Sequence, residues 1–215
     1  LAYALLFSLP GTPVIYYGNE IGMGDNVFLA GSNSVRTPMQ WSGSRNGGFS
    51  RADPARLYAP LNSDPVFGYR ALNVEAQERQ PFSLLNWMRR LIAIRKQHKM
   101  LAQGKIEVVD QRNEKVLAYI RRLGNQRILV VANLSGSAQS AQFLLGLHAG
   151  VQPVEILGGA AFPRIGAAPY SVTLAPYGFY WFTMDRASRE TRQRDPGAAA
   201  LERQTDSGEA PGLVA

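Results

Sequence analysis

The run Thr12 to Gly18, TPVIYYG, decides how the chain is read. It is short, β-branched and aromatic, its centre holds nothing polar, and it stops at a glycine. A strand covered on both faces has that composition, because neither face meets water; a strand with one wet face alternates. Before it, Leu1 to Leu9 (LAYALLFSL) is an apolar run halted by Pro10-Gly11, which reads as the end of a buried helix. After it, Gly18 to Asp64 is dense in Gly, Asn, Ser, Asp and Pro. Connections this long inside a domain are usually functional or disordered. This one carries Met23, Met39, Trp41, Phe49 and Tyr58, so an ordered, packed loop is expected.

Further on, PFSLLNWMRRLIAIRKQHKML (Pro81 to Leu101) places Leu84, Met88, Leu91 and Ile92 on one helical stripe, with Ser83 as N-cap and Arg95, Lys96, His98 and Lys99 in the last turns. After Gly104 the period changes to two. KIEVVD, KVLAYIRRL, RILVVANLS, AQFLL, PVEILGG, YSVTLAP and YGFYWFTM are strand-like runs separated by turn residues. They predict an antiparallel β-sandwich. The fold class expected is therefore α/β plus β. Residues 1–102 form the terminal strand–loop–helix unit of a (β/α)8 TIM barrel, in which the loops after the strands build the active site. Residues 103–184 form the sandwich, and residues 185–215, free of aromatics, a disordered tail.

Composition excludes several functions. The chain has 215 residues, 46% of them hydrophobic, enough for a sizeable core. It has no cysteine, hence no disulfide framework or thiolate metal site, and it suits a bacterial cytoplasm. His98 and His148 are too far apart in sequence for a histidine metal motif. The net charge is +7, and between Arg36 and Lys99 there are 11 Lys/Arg against 4 Asp/Glu. These cations are scattered among Pro, Gly and aromatic residues, so a solvated surface with structural arginines is expected and a nucleic-acid partner is not. No apolar run is long enough for a membrane span. The first residue is Leu1, and the opening run lacks the basic start and cleavage site of a signal peptide, so a piece of a longer protein is expected.

Several motifs carry a resemblance. GTPVIYYGNEIGM (Gly11 to Met23), RTPMQW (Arg36 to Trp41), SLLNWMRRLIAIRK (Ser83 to Lys96) and LAPYGFYWF (Leu174 to Phe182) resemble the α-amylase family, the family 13 glycoside hydrolases. RTPMQW points to its oligo-1,6-glucosidase-like branch. GFSRADPARLYAP (Gly48 to Pro60) with DPVFGYRALNVEAQ (Asp64 to Gln77) is similar to the branch that interconverts maltose and trehalose. The resemblance implies a retaining glucosyl transfer acting on maltose, trehalose or related α-glucosides. Such chemistry needs a carboxylate nucleophile and a carboxylic acid about 5 Å apart. In the family these sit on strands upstream of Leu1, so no catalytic residue is expected in this segment. No cofactor or metal site is expected in it either, and any calcium ligands of the parent would also lie upstream. A hydrolysing α-glucosidase and a non-catalytic carbohydrate-binding module remain the alternatives, and the oligomeric state is open.

The resemblance places a substrate rim at Asn19, Glu20, Arg36, Gln40 and Trp41. Gly18-Asn19-Glu20 departs from the family's usual GDE or GEE by one amide, and Leu29 to Ser34 lacks the charges usual before VRTPMQW. Each rim residue also has a plainer reading. Arg36 is expected either to face the sugar or to brace the loop against Glu20 or Asp25. Met39 and Trp41 are expected to pack the loop, since large apolar side chains bury area first. Gln40, polar between them, is a candidate for a sugar hydroxyl. Glu20, Asp25, Asp53 and Asp64 show no paired-carboxylate signature.

Overall fold

The computed structural model describes residues 1–184. Seven strands follow Gly104 among them: β1 (Lys105–Val108), β2 (Val116–Leu123), β3 (Gln126–Asn133), β4 (Gln139–Phe143), β5 (Val154–Glu155), β6 (Tyr170–Leu174) and β7 (Phe179–Thr183). Five make one sheet in the order β1-β2-β3-β7-β5, and β4 pairs with β6 in a second; every pairing is antiparallel.

The alternation of side chains across β2, β3 and β7 divides the core in two. Val116, Ala118 and Ile120 of β2, Leu129 and Val131 of β3, and Phe182 of β7 pack against Ala141, Phe143, Tyr170, Val172 and Leu174 of the second sheet. The intervening Tyr119, Ile128, Val130 and Trp181 face the helices. The central strands β2, β3 and β7 are thus covered on both faces while the edge strand β1 is exposed, and this is why RILVVAN reads as one apolar run with no alternation.

Four helices lie N-terminal to the strands: α1 (Ala2–Ser8), α2 (Val74–Glu78), α3 (Leu84–Gln97) and α4 (Lys99–Gln103). Ala4 and Phe7 of α1, Met88 and Leu91 of α3, and Met100 and Leu101 of α4 close over Trp181 and its neighbours. Trp87 meets Phe179 edge-on, with ring centroids 6.3 Å apart. Ser83 caps α3 as expected, its hydroxyl accepting from the Asn86 amide at 3.2 Å.

Three expectations change. The run Thr12–Tyr16 is not a buried strand: it has no ladder partner among the described residues, and Val14 is 83% exposed. Composition marks a segment suited to burial, but a strand exists only where a neighbour accepts its hydrogen bonds. The buried face of α3 is Leu85, Met88, Leu91 and Arg95, one position off the expected stripe, with Leu84 and Ile92 half-buried. Arg95 is accordingly not a solvated cation at a helix end. The expected tail, residues 185–215, lies outside the described residues. No helix among the described residues is long and apolar enough to cross a membrane.

Candidate functional site

Between Gly18 and Asn73 the chain has no strand and only three short 3-10 turns. It is ordered by another device. Buried side-chain amides reach the main chain and satisfy groups that a helix or sheet would otherwise pair. Gln40, fully buried, donates from Nε2 to the carbonyls of Phe67 (3.1 Å) and Leu72 (2.6 Å). Asn46 takes a left-handed φ of 54° and donates to Ser50 O (2.9 Å) and Ala52 O (2.8 Å). Asn62 donates to Gly24 O at 3.2 Å and accepts from the Asp64 amide at 3.0 Å. Asn73 caps α2, accepting from the Ala76 amide at 2.8 Å. Gln77 of α2 donates to Ile21 O (2.7 Å) and accepts from the Leu85 amide (3.0 Å), tying the loop's start to α3.

Gly18 turns the chain into this loop. Its φ of +87° favours glycine, and a Cβ there would stand 2.6 Å from Met23 Sδ, so the Met23 side chain would also have to move. The turn brings Met23 N to Gly18 O at 2.9 Å. Just before it, the Tyr17 hydroxyl donates to Thr37 O at 2.9 Å. One bond therefore fastens the chain leaving α1 to the RTPMQW stretch.

Held this way, Tyr17, Glu20, Arg36, Thr37, Pro38, Met39, Trp41, Phe49, Leu57, Tyr58 and Ala59 enclose a cleft of about 500 Å³. Trp41 is 51% and Phe49 52% exposed, and the Tyr58 side chain is fully exposed. Met39 instead is buried, against Ile21 and Leu85. The charged members are Glu20 and Arg36. Arg36 is exposed and makes no ion pair with Glu20 or Asp25; the ion pairs among the described residues are Glu75–Arg79, Glu78–Arg89 and Glu107–Arg122. Tyr17 titrates higher than an ordinary tyrosine, chiefly through desolvation and then through the adjacent Tyr16, whose ring centroid is 4.7 Å away; Arg36 acts in the opposite sense. Chemically the cleft is an apolar, aromatic wall with one acid and one cation on its edge, a surface suited to the C–H faces and hydroxyls of a sugar.

The sequence-predicted rim divides accordingly. Glu20, Arg36 and Trp41 meet at the cleft. Gln40 points the other way, its amide nitrogen spent on two carbonyls beneath the loop. Asn19 lies outside the lining, half-buried, its carbonyl 3.4 Å from the Tyr3 hydroxyl that donates to it. Met39 packs as expected, but Trp41, expected to pack with it, opens to the cleft. Asp53 and Asp64 cap local turns, accepting from Ala55 N and from Val66 N and Phe67 N. Phe49, Leu57 and Tyr58 were missed as wall residues. The only signal for them is aromatic and apolar content in a segment otherwise rich in Gly, Ser and Pro. No group of three or more metal-capable acids or histidines occurs among the described residues.

The family described as "Alpha amylase, catalytic domain" matches residues 1–104, and "Maltogenic Amylase, C-terminal domain" matches residues 106–181. The trehalose synthase/amylase TreS of Mycolicibacterium smegmatis is 47% identical over 206 residues, 92% of this chain and 34% of that protein. The trehalose synthase of Pimelobacter sp. is 49% identical over 185 residues, 84% of this chain and 32% of that protein. The chain thus spans about a third of the length of these relatives. Among solved structures, isomaltulose synthase from Klebsiella sp. LX3 superposes with a TM-score of 0.64 at 23% identity, over 85% of this chain and 37% of that one.

Proposed function

We propose that this chain, whose residues 1–104 match the α-amylase catalytic-domain family and whose residues 106–181 match the maltogenic amylase C-terminal domain, is the C-terminal portion of an α-amylase-family enzyme that isomerises maltose to trehalose. In this reading residues 1–102 supply the last strand–loop–helix unit of a (β/α)8 barrel, with the Thr12–Tyr16 run taking its ladder partners from the rest of the parent, and residues 103–184 are its C-terminal β domain. The observation that carries it is the convergence of Tyr17, Glu20, Arg36, Trp41, Phe49 and Tyr58 on one cleft at the end of the segment that follows α1.

The reaction cleaves the glycosidic bond of maltose, holds the glucosyl unit on a carboxylate, and returns it to the anomeric hydroxyl of the same glucose. A retaining transfer of this kind uses two carboxyl groups about 5 Å apart. We assign that pair to the rest of the parent enzyme and give this segment the wall. Water and the released glucose compete for the same covalent intermediate. An ordered apolar wall favours glucose by lowering the water content around the reacting carbon. Glu20 and Arg36 offer an acceptor and donors to sugar hydroxyls, Trp41 offers a face, Asn19 stands at the outer rim, and Gln40 braces the loop that presents them. The substrates are α-glucosides, and a cytoplasmic location belongs to the same reading.

The test is an assay of the full native polypeptide on maltose. Trehalose as product supports the reading. Glucose alone identifies a hydrolysing α-glucosidase, and sugar binding without turnover a carbohydrate-binding module. Trp41→Ala should then raise glucose relative to trehalose by about tenfold, the scale of a little over 1 kcal/mol in relative barrier heights. An unchanged ratio removes the wall from the mechanism.

A further inference from the structure

Two buried guanidinium groups hold the carbonyls that close α1, and neither has a carboxylate partner among the described residues. Arg95, from α3, donates through Nη1 to Phe7 O at 2.5 Å and Leu9 O at 3.3 Å, and through Nη2 to Gly11 O at 2.5 Å. Arg121, from β2, donates through Nη1 to Ser8 O at 2.6 Å and through Nη2 to Gly104 O at 2.7 Å. The Ser8 and Tyr119 hydroxyls lie 2.6 Å apart, and Ser8 Oγ also reaches Ala4 O at 2.7 Å. Arg95 is 8% exposed and Arg121 is 0% exposed. Neither appears among the ion pairs of the described residues.

A buried cation without a counter-ion is costly, and burial draws both guanidinium pKa values down. What these two arginines supply is geometry. The last carbonyls of a helix have no partner within it, and a planar fork of donors fixes them in direction as well as position. The chain they fix then leaves α1 through Leu9–Gly11 and arrives, a few residues on, at Tyr17 and Glu20 in the cleft wall. Arg121 stands on β2, between β1 and β3, in a stretch of the strand buried against both cores and therefore stiff.

We propose that Arg121, with Tyr119 beside it, is a positioning residue for the cleft: the β domain grips the root of the Leu9–Gly18 segment and so sets where Tyr17 and Glu20 stand. The proposal rests on the functional reading above for its kinetic readout alone. It gives the β domain a part in the reaction although none of its residues lines the cleft.

The experiment uses the full native polypeptide with Arg121→Met, Arg121→Lys and Tyr119→Phe. It reads two quantities: amide hydrogen exchange at Leu9, Asn19, Ile21, Gly22 and Met23, the hydrogen-bonded amides that flank the segment, and the trehalose-to-glucose ratio from maltose. Arg121→Met should speed exchange at these amides roughly tenfold, as Ser8 O and Gly104 O lose their donor, while β3 and β7 keep native protection. The trehalose share should fall with it, in kcat more than in KM. Arg121→Lys, which keeps the charge and loses the fork, should lie between. Tyr119→Phe removes one hydroxyl, preserves the packing, and decides the matter if Arg121→Met does not fold. A lowered melting temperature with native exchange at Leu9 and at Asn19–Met23 and a native product ratio would reduce Arg121 to a structural brace and overturn the proposal. So would faster exchange with an unchanged ratio. If the unmodified protein turns over no maltose, the functional reading falls by itself, and the exchange measurement alone decides whether the β domain grips this segment.

Discussion

The loop from Gly18 to Asn73 and the β domain from Lys105 to Thr183 are both ordered, but by different forces. In the β domain, backbone groups pair with each other along ladders, and the side chains are free to make two apolar cores. In the loop the relation is reversed. Side chains such as Gln40, Asn46 and Asn73 are spent on the backbone, and the aromatic rings of Trp41, Phe49 and Tyr58 are left to face the cleft. A scaffold that satisfies its backbone internally is rigid but offers little to a ligand. A loop that recruits buried amides gains an irregular shape, and its large side chains become available for binding.

That contrast can be broken from either side. The largest effect is expected in the β domain. Trp181→Ala empties a fully buried site between the sheet and α1, α3 and α4, and should cost about 3–5 kcal/mol, measured by urea denaturation of the whole chain. A loss below 1 kcal/mol would show that the helix-side core collapses readily and is not stiff.

Next comes the loop. Gln40→Ala leaves the Phe67 and Leu72 carbonyls without their donor, a local loss of about 1–3 kcal/mol. Limited proteolysis between Gly18 and Asn73 should accelerate by about tenfold or more, with the β domain still resistant. Equal sensitivity of both regions would mean that loop and sheet open as one unit, and the distinction drawn above would fail.

The smallest effect is expected from pH. His148, in the turn Gly146–His148, is held below its usual value near 6.5 by desolvation first and by Arg127 second, with Glu107 opposing. The folded state therefore resists protonation while the unfolded chain accepts it. Stability is full above pH 6.5 and declines as pH falls through that value towards the lower folded pKa. His148→Gln should remove that part of the acid sensitivity. An identical pH profile for the variant would assign the loss to other groups.

Much of the β domain was legible in advance because strand signals are local. KVLAYIRRL, RILVVANLS, YSVTLAP and the others each contain a strand where one was expected, although PVEILGG yields only Val154–Glu155. Ser83 announced the start of α3 for the same reason, since a cap acts within three residues. The cleft was legible in part. RTPMQW marked Arg36 and Trp41, and GNE marked Glu20, but nothing in the local pattern distinguished Trp41, which opens to the cleft, from Met39, which packs. Nor did it separate Gln40, which turns inward to two carbonyls, from a residue that meets a ligand. Phe49, Leu57 and Tyr58 join the wall only because Asn46 and its neighbours fold the chain back on itself.

Sequence alone determined the elements whose cause lies within a few residues: the period-two strands, the capped helix, the glycine turn at Gly18, and the family likeness those motifs carry. Tertiary structure decided whatever depends on a partner distant in the chain. It left TPVIYYG unpaired, because a strand is completed by its neighbours. It turned Arg95 and Arg121 into donors for carbonyls 84 to 113 residues away. A hydrogen bond across such separations leaves no local periodicity to read; it forms only when hydrophobic burial has already brought the sheet and the helices together.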